Sequence, residues 1–365
     1  MSIKNKYIGI LLIATTMLLS ACSSDDSGAQ PDPTDNKPVK KEIQVMTYAS
    51  QFAETALSRR AAPAPTGFSQ YTPDKTTTMG IYMLLQSEQS EQSDWDFPEE
   101  KRITYNTGTG KWNASFEVEA GKTYSVYGYM PKAGGVNSSL TAVTSNGATL
   151  SIMGIKPVTT DDICIITGVK ETDEGLKEGL LSWKWPIPSE DENFKIHILM
   201  DHLYASVQFS MKIDEEYASL RTIKLKTMTL STNIGSVDAT ISLTRNDIGS
   251  SPITDITYSL SGTNGAAEIF SSEEGTALDK LTPLAINACF TPLPTLSENL
   301  TLVSTYDVYD SKGNLIRQNC TATNQLPDLG AVRGQRVQVN MTVSPTYLYV
   351  LSDPDLDNPT ITIDN

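Results

Sequence analysis

Histidine is the scarcest residue in this 365-residue chain, with only His197 and His202 present. They lie five residues apart on an expected strand or strand entry, and that odd spacing turns them to opposite faces. The sequence contains no H-E-x-x-H, no G-x-S-x-G, no phosphate loop and no C-x-x-C, so metal hydrolysis, the hydrolase elbow, phosphoryl transfer and dithiol chemistry have no motif to rest on. A Ser–His–Asp triad is assembled in space and stays open at this level. The expectation is a protein that is not an enzyme, with no catalytic residue, no cofactor and no metal site, and with His202 as a structural residue. Positive charge is also short. Lys and Arg number 28 against 43 Asp and Glu, for a net charge of −15. Phosphate binding needs a basic footprint, so nucleic acid is excluded as a partner, as is electrostatic docking on anionic lipid. Long apolar runs are missing too: Ile8 to Leu19 falls below the ~20 residues of a permanent membrane helix. Helical periodicity is confined to a turn or two in Glu171 to Leu181 and Glu215 to Leu220. No long-period repeat appears, which argues against a solenoid.

The N-terminus has a recognisable plan. Lys4 and Lys6 precede the apolar run, and Leu19-Ser20-Ala21-Cys22 closes it with small residues before a Cys, the order of an export signal. The ending resembles the lipobox of bacterial lipoproteins, which implies that residues 1–21 are removed and that Cys22 is lipidated and anchors the chain, each buried CH₂ contributing ~0.8 kcal/mol. Ser23-Ser24-Asp25-Asp26-Ser27 resembles the acidic signal that sends Bacteroidota lipoproteins to the outer face of the outer membrane. Residues 22–41, rich in Pro, Asp, Lys and Gly without an apolar period, read as a flexible tether.

The remainder reads as strands. Ile43, Val45 and Thr47 alternate with Gln44, Met46 and Tyr48; Thr78 to Leu85 is an apolar run; Tyr105 to Gly110 reads as a hairpin turn leading to Trp112, Phe116 and Val118. Tyr124, Val126 and Met130, then Val207, Phe209, Met211 and Ile213, then Val337, Val339, Met341 and Val343, alternate in the same way. Period two predicts antiparallel sheets with one buried face. A change of character at Pro186 to Glu192 places a boundary near residue 196, giving two all-β sandwiches, 42–196 and 197–365. Beyond Cys22 three cysteines remain. Cys164, between Ile163 and Ile165, is expected to be buried, and a Cys289–Cys320 pairing is left open by spacing alone. Asp353-Pro354-Asp355-Leu356-Asp357 begins like a calcium loop but lacks the Gly and the bidentate Glu that such a loop needs, so a solvated linker between two short strands is expected. Trp112, Trp183 and Trp185 are expected in the core, and Trp95 lies in an acidic loop as an exposed candidate for sugar stacking.

Several segments together resemble the fimbrillin family, the subunits of the type V pili of Bacteroidales: the lipobox, the strand Tyr124-Ser125-Val126-Tyr127-Gly128-Tyr129-Met130-Pro131, His202 to Phe209, and Gly334-Gln335-Arg336-Val337 through Pro345-Thr346-Tyr347. The resemblance implies two tandem transthyretin-like antiparallel β-sandwiches after the signal and tether. It implies export as a lipoprotein, then cleavage by an Arg-specific maturation protease at Arg59-Arg60, within 42–60, ahead of the Pro-rich Ala61 to Pro65. The strand removed would carry Ile43, Val45 and Thr47. The groove it leaves would accept a donor strand from another copy or another pilus subunit. The donor residues implied are Tyr347, Tyr349, Leu351, Ile361 and Ile363, with the Asp/Pro segment between the two tail strands keeping them from forming one hairpin. The function implied is a structural subunit of a surface pilus or fimbria, supporting adhesion. A surface glycan-binding lipoprotein of a polysaccharide-uptake system is the alternative, and an uncleaved anchor subunit a third reading.

Overall fold

The computed structural model describes residues 39–55, 68–85, 99–144, 146–170, 183–187, 194–244, 251–330, 332–347 and 354–364. They are nearly all strand, with one-turn helices at Glu215–Ala218 and Pro294–Ser297. Among the described residues four sheets form, of ten, six, four and four strands. The largest runs in the order Phe68–Gln70, Val39–Ser50, Phe194–His202, Cys164–Lys170, Thr123–Met130, Thr77–Leu85, Lys101–Asn106, Lys111–Asn113. The six-stranded sheet contains Val158–Thr159, Leu284–Phe290, Ala205–Ile213, Gln335–Tyr347 and Ala53–Thr55, with Pro354–Ile363 added on Gln335–Tyr347. The sheets enclose a continuous hydrophobic core. Tyr82 Oη lies 2.6 Å from Ser138 Oγ of a four-stranded sheet, and Tyr306 Oη donates to the Pro359 carbonyl across the other pair of sheets at 3.0 Å.

Alternation works where one face is buried. In Ala205–Ile213 the odd-numbered residues are buried and Gln208, Ser210 and Lys212 are less so. Tyr124 to Met130 departs from it, since all seven residues are buried. Both faces of that strand are covered, and its neighbours set its composition rather than a period of two. Trp112, Trp183 and Trp185 are core residues as expected. Trp183 stacks on Tyr127 with centroids 5.3 Å apart and donates from Nε1 to the Ile166 carbonyl; Trp95 lies outside the described residues. Cys164 is buried, as its apolar neighbours predict. Cys289 and Cys320 are free thiols, on strands of different sheets.

Long-range pairing is less local than the sequence suggests. The expected boundary near residue 196 falls inside Phe194–His202, a central strand of the largest sheet. Gly147–Ile155 pairs with Ser236–Thr244, so strands from before and after that point share a sheet. Among the described residues three pairings are parallel, those of Val39–Ser50 with Phe194–His202, Ala205–Ile213 with Gln335–Tyr347, and Ala53–Thr55 with Gln335–Tyr347.

Gly128 shows why glycine interrupts the aromatic strand. A Cβ there would lie far inside van der Waals contact distance of the Gly80 carbonyl oxygen on the adjacent strand and 3.1 Å from Ile166 Cδ1. Glycine inside a strand marks such a close approach. Gly128→Ala is expected to cost about 2 kcal/mol, in the range of overpacked cores, read as a lower denaturant midpoint at unchanged slope.

Candidate functional site

The first strand, Val39–Ser50, sits inside its sheet. Residues Ile43 to Ala49 pair in parallel with Phe194 to Met200, while Tyr48 to Ser50 pair on the other side with Phe68–Gln70. Its beginning pairs with Ser115–Val118, and Ile43 N–H donates to the Ala114 carbonyl at 2.9 Å. Ile43, Val45 and Thr47 are all buried, as are Tyr48 and Ala49, whereas Glu42 and Gln44 are exposed. Thr47 is tolerated in the core because its hydroxyl donates to the Tyr71 carbonyl at 2.7 Å. The chain then crosses to the other sheet, where Ala53–Thr55 pairs with Gln335 to Val337 and Glu54 meets Arg336 at 3.2 Å. Residues 39–55 therefore contribute to two sheets.

Both histidines serve this segment, and opposite-facing side chains on one strand turn out to meet one neighbour. His197 Nδ1 lies 3.1 Å from Tyr48 Oη with the rings stacked. His202 Nε2 lies 2.7 Å from the Ser50 carbonyl, which can only accept. Phe52 stacks on the His202 ring, centroids 3.7 Å apart, and the Arg336 guanidinium lies over the Phe52 ring, 5.4 Å from its centroid. Asp201 Oδ1 accepts from Ser50 Oγ at 2.7 Å and from the His202 N–H at 2.9 Å, while Arg333 Nη1 donates to Asp201 Oδ2 at 2.6 Å. His202 Nδ1 is 2.5 Å from Asp162 Oδ2. Burial alone would lower the His202 pKa; the hydrogen bond and charge of Asp162, with Asp201 and the Ser50 carbonyl, outweigh it and raise the value. Burial, then the Asp162 charge, pushes the Cys164 thiol well up. Among the described residues, Asp162, Cys164 and His202 alone bring three ligand-type atoms within 4.8 Å of one another.

The C-terminal tail forms the second half of the site. Pro354–Ile363 is one ten-residue strand, antiparallel to Gln335–Tyr347, from Tyr347↔Pro354 to Met341↔Ile363. Pro354 to Asp357 of the Asp/Pro run are therefore strand and not a linker, and Thr360 to Ile363 pair with Ser344 to Met341; the expected strand residues Tyr349 and Leu351 lie outside the described residues. The prolines fit because the strand is laddered on one side only, and Pro359 stands opposite Pro345. Side chains bind the other edge. Tyr217 donates to the Leu356 carbonyl at 2.7 Å, Tyr306 to Pro359, Asn324 to Ile361 at 2.7 Å, and Arg317 to Asp357 at 3.1 Å. Arg221 grips the Asp357 carboxylate at 2.7 and 3.1 Å. Asp214 caps the Glu215–Ala218 turn by accepting from the Glu216 and Tyr217 N–H groups, which places Tyr217. Burial pushes the Tyr306 phenol up to about 12 and raises Tyr217 as well, so both stay donors at any physiological pH. Ile361 is buried and Ile363 half-buried.

Of the site residues expected from sequence, the structure thus places Ile43, Val45, Thr47, Ile361 and Ile363, and the backbone of Tyr347. Cys22, Arg59, Arg60, Tyr349 and Leu351 lie outside the described residues. The sequence reading missed Asp162, Asp201, Phe52, Arg333, Tyr217, Tyr306 and Asn324, which no local spacing connects. The histidine pair was the one available signal.

No protein-family model matches this chain, and no curated protein matches it. Solved structures do. A candidate cell adhesion protein from Bacteroides fragilis is 11% identical, over 90% of this chain and 97% of that one, with a TM-score of 0.44. One from Bacteroides ovatus is 12% identical, over 89% and 96%, with a TM-score of 0.41. A fimbrial protein from Bacteroides vulgatus is 13% identical, over 78% and 91%, with a TM-score of 0.38.

Proposed function

We propose that this chain is a non-enzymatic structural subunit of a surface fimbria, exported as a Cys22 lipoprotein of the outer membrane and polymerised by strand exchange after cleavage at Arg59 or Arg60. One observation carries the reading. Residues 39–55 fill the interior of one sheet and the edge of a second, and a dibasic pair in a small-residue, Pro-rich stretch follows Thr55 by four residues. A cut there would turn a built-in strand into a separable peptide. Loss of that peptide opens a groove with unpaired backbone on the Phe194–His202 strand, a template for a strand from another subunit. The tail is the donor: its strand is laddered on one side only and held on its other edge by side chains, so it can leave without breaking a second ladder. Adhesion is the role of the filament so formed. The glycan-binding alternative has less support, because the three described tryptophans are buried.

Digestion of the mature protein with an Arg-specific protease tests the reading. One cut after Arg59 or Arg60 is expected by N-terminal sequencing. The released segment should at first co-elute with the body on a sizing column, since both ladders still hold it, and then be lost as high-mass species grow. A fully cut protein that sheds its peptide and stays monomeric would refute strand exchange.

A further inference from the structure

We propose that Asp162, Cys164 and His202 form a binding site for a thiophilic divalent cation of the zinc class. The three side chains come from the start of Cys164–Lys170 and the end of Phe194–His202, adjacent antiparallel strands with Cys164 directly opposite His202. Asp162 Oδ2 lies 3.1 Å from Cys164 Sγ and 2.5 Å from His202 Nδ1, and Sγ and Nδ1 are 3.9 Å apart. An ion with bonds of about 2.0–2.3 Å to N, O and S holds its ligands at most about 4.6 Å apart, so small shifts suffice for all three to reach one cation. Thiolate, imidazole and carboxylate together favour zinc over the hard cations, which take oxygen ligands only.

Two further observations point to a ligand. His202 Nε2 faces the Ser50 carbonyl, an obligate acceptor, at 2.7 Å, so Nε2 carries a proton and Nδ1, on the side of Asp162 and Cys164, is the nitrogen that can ligate once its shared proton is displaced. A ligating imidazole is held in this way by its second nitrogen. Asp162 Oδ1 is a buried oxygen without a hydrogen-bond partner. A cleft of about 460 Å³ lies against the trio, lined also by Tyr71, Asp74 and Asp161, with room for a water as fourth ligand. On binding, the Cys164 thiol proton and any proton on Nδ1 pass to water, and the cation takes their place. The ion would tie His202, and through the Ser50 carbonyl the end of the first strand, to the Cys164 strand.

The test is titration of the intact, uncut chain with cobalt(II), with Cys22→Ser in every sample so that the only thiols are Cys164, Cys289 and Cys320. A thiolate-to-cobalt charge-transfer band is expected, displaced by zinc. It should vanish in Cys164→Ala and persist in Cys289→Ala. Asp162→Asn, which keeps the side chain's shape, should weaken binding at least tenfold and serves if Cys164→Ala does not fold. Absence of the band, a band that survives Cys164→Ala, or unchanged affinity in Asp162→Asn would overturn the site. None of these readouts depends on cleavage or polymerisation.

Discussion

A chain that begins at Ala61 is expected to form high-mass species without any protease, and a synthetic peptide covering residues 39–55, added in excess during refolding, is expected to return it to monomer. The size of the effect follows from what the first strand contributes. Ile43 and Val45 are buried, and full burial of such side chains is worth about 1.5–3 kcal/mol each. Tyr48 and Ala49 add further buried surface, and seven residue pairs from Ile43↔Phe194 to Ala49↔Met200 add roughly 1 kcal/mol net per hydrogen bond. The sum is on the order of 10 kcal/mol, as large as the whole net stability of a typical domain, about 5–15 kcal/mol. An empty groove is therefore not a resting state: the body must take up another strand or lose its packing. Sizing chromatography and near-ultraviolet circular dichroism read the outcome. A well-packed monomer that ignores the peptide would show that the segment is dispensable, and strand exchange would lose its driving force.

The elements of this groove were legible in the sequence to different degrees. Ile43, Val45 and Thr47 alternate with partly exposed or polar neighbours, and the strand they predict is present with those residues inside. The same logic read Ala205–Ile213 and Gln335–Tyr347 correctly, because each carries one buried face. Pairing partners were not legible. A parallel neighbour about 150 residues away, as for Ile43↔Phe194, leaves no periodic trace in either segment. A composition break near residue 190 therefore suggested a boundary where a central strand begins. The Asp/Pro run misled for a different reason. Its composition is that of a loop, but Arg221 and Arg317 meet its polar groups and a one-sided ladder tolerates its prolines. The cluster around His202 draws on residues 50, 52, 162, 164, 201 and 333, a set that only the folded chain assembles.

The tail carries the other large expectation. Tyr217→Phe with Tyr306→Phe should speed polymerisation of the Arg-cleaved subunit by roughly tenfold or more, while deletion of residues 354–365 should abolish it. The two phenols donate to the Leu356 and Pro359 carbonyls, and neither belongs to the tail itself, so the double variant weakens the seat and leaves the donor unchanged. Each bond lost is worth about 1 kcal/mol net, and 1.4 kcal/mol is tenfold in a population; two together raise the released tail by roughly 10–30-fold. If release limits donation, the rate follows that population. The rings remain, so Tyr217 and Tyr306 keep their packing in the core, and the body should lose little beyond the two bonds. Light scattering after complete cleavage measures the rate, and hydrogen exchange of the Thr360 to Ile363 amides measures release independently. Faster exchange without faster growth would mean that the tail leaves its seat but is not the donor. Normal filaments from the deletion variant would rule out the tail altogether and direct the search to the exposed edge of another strand.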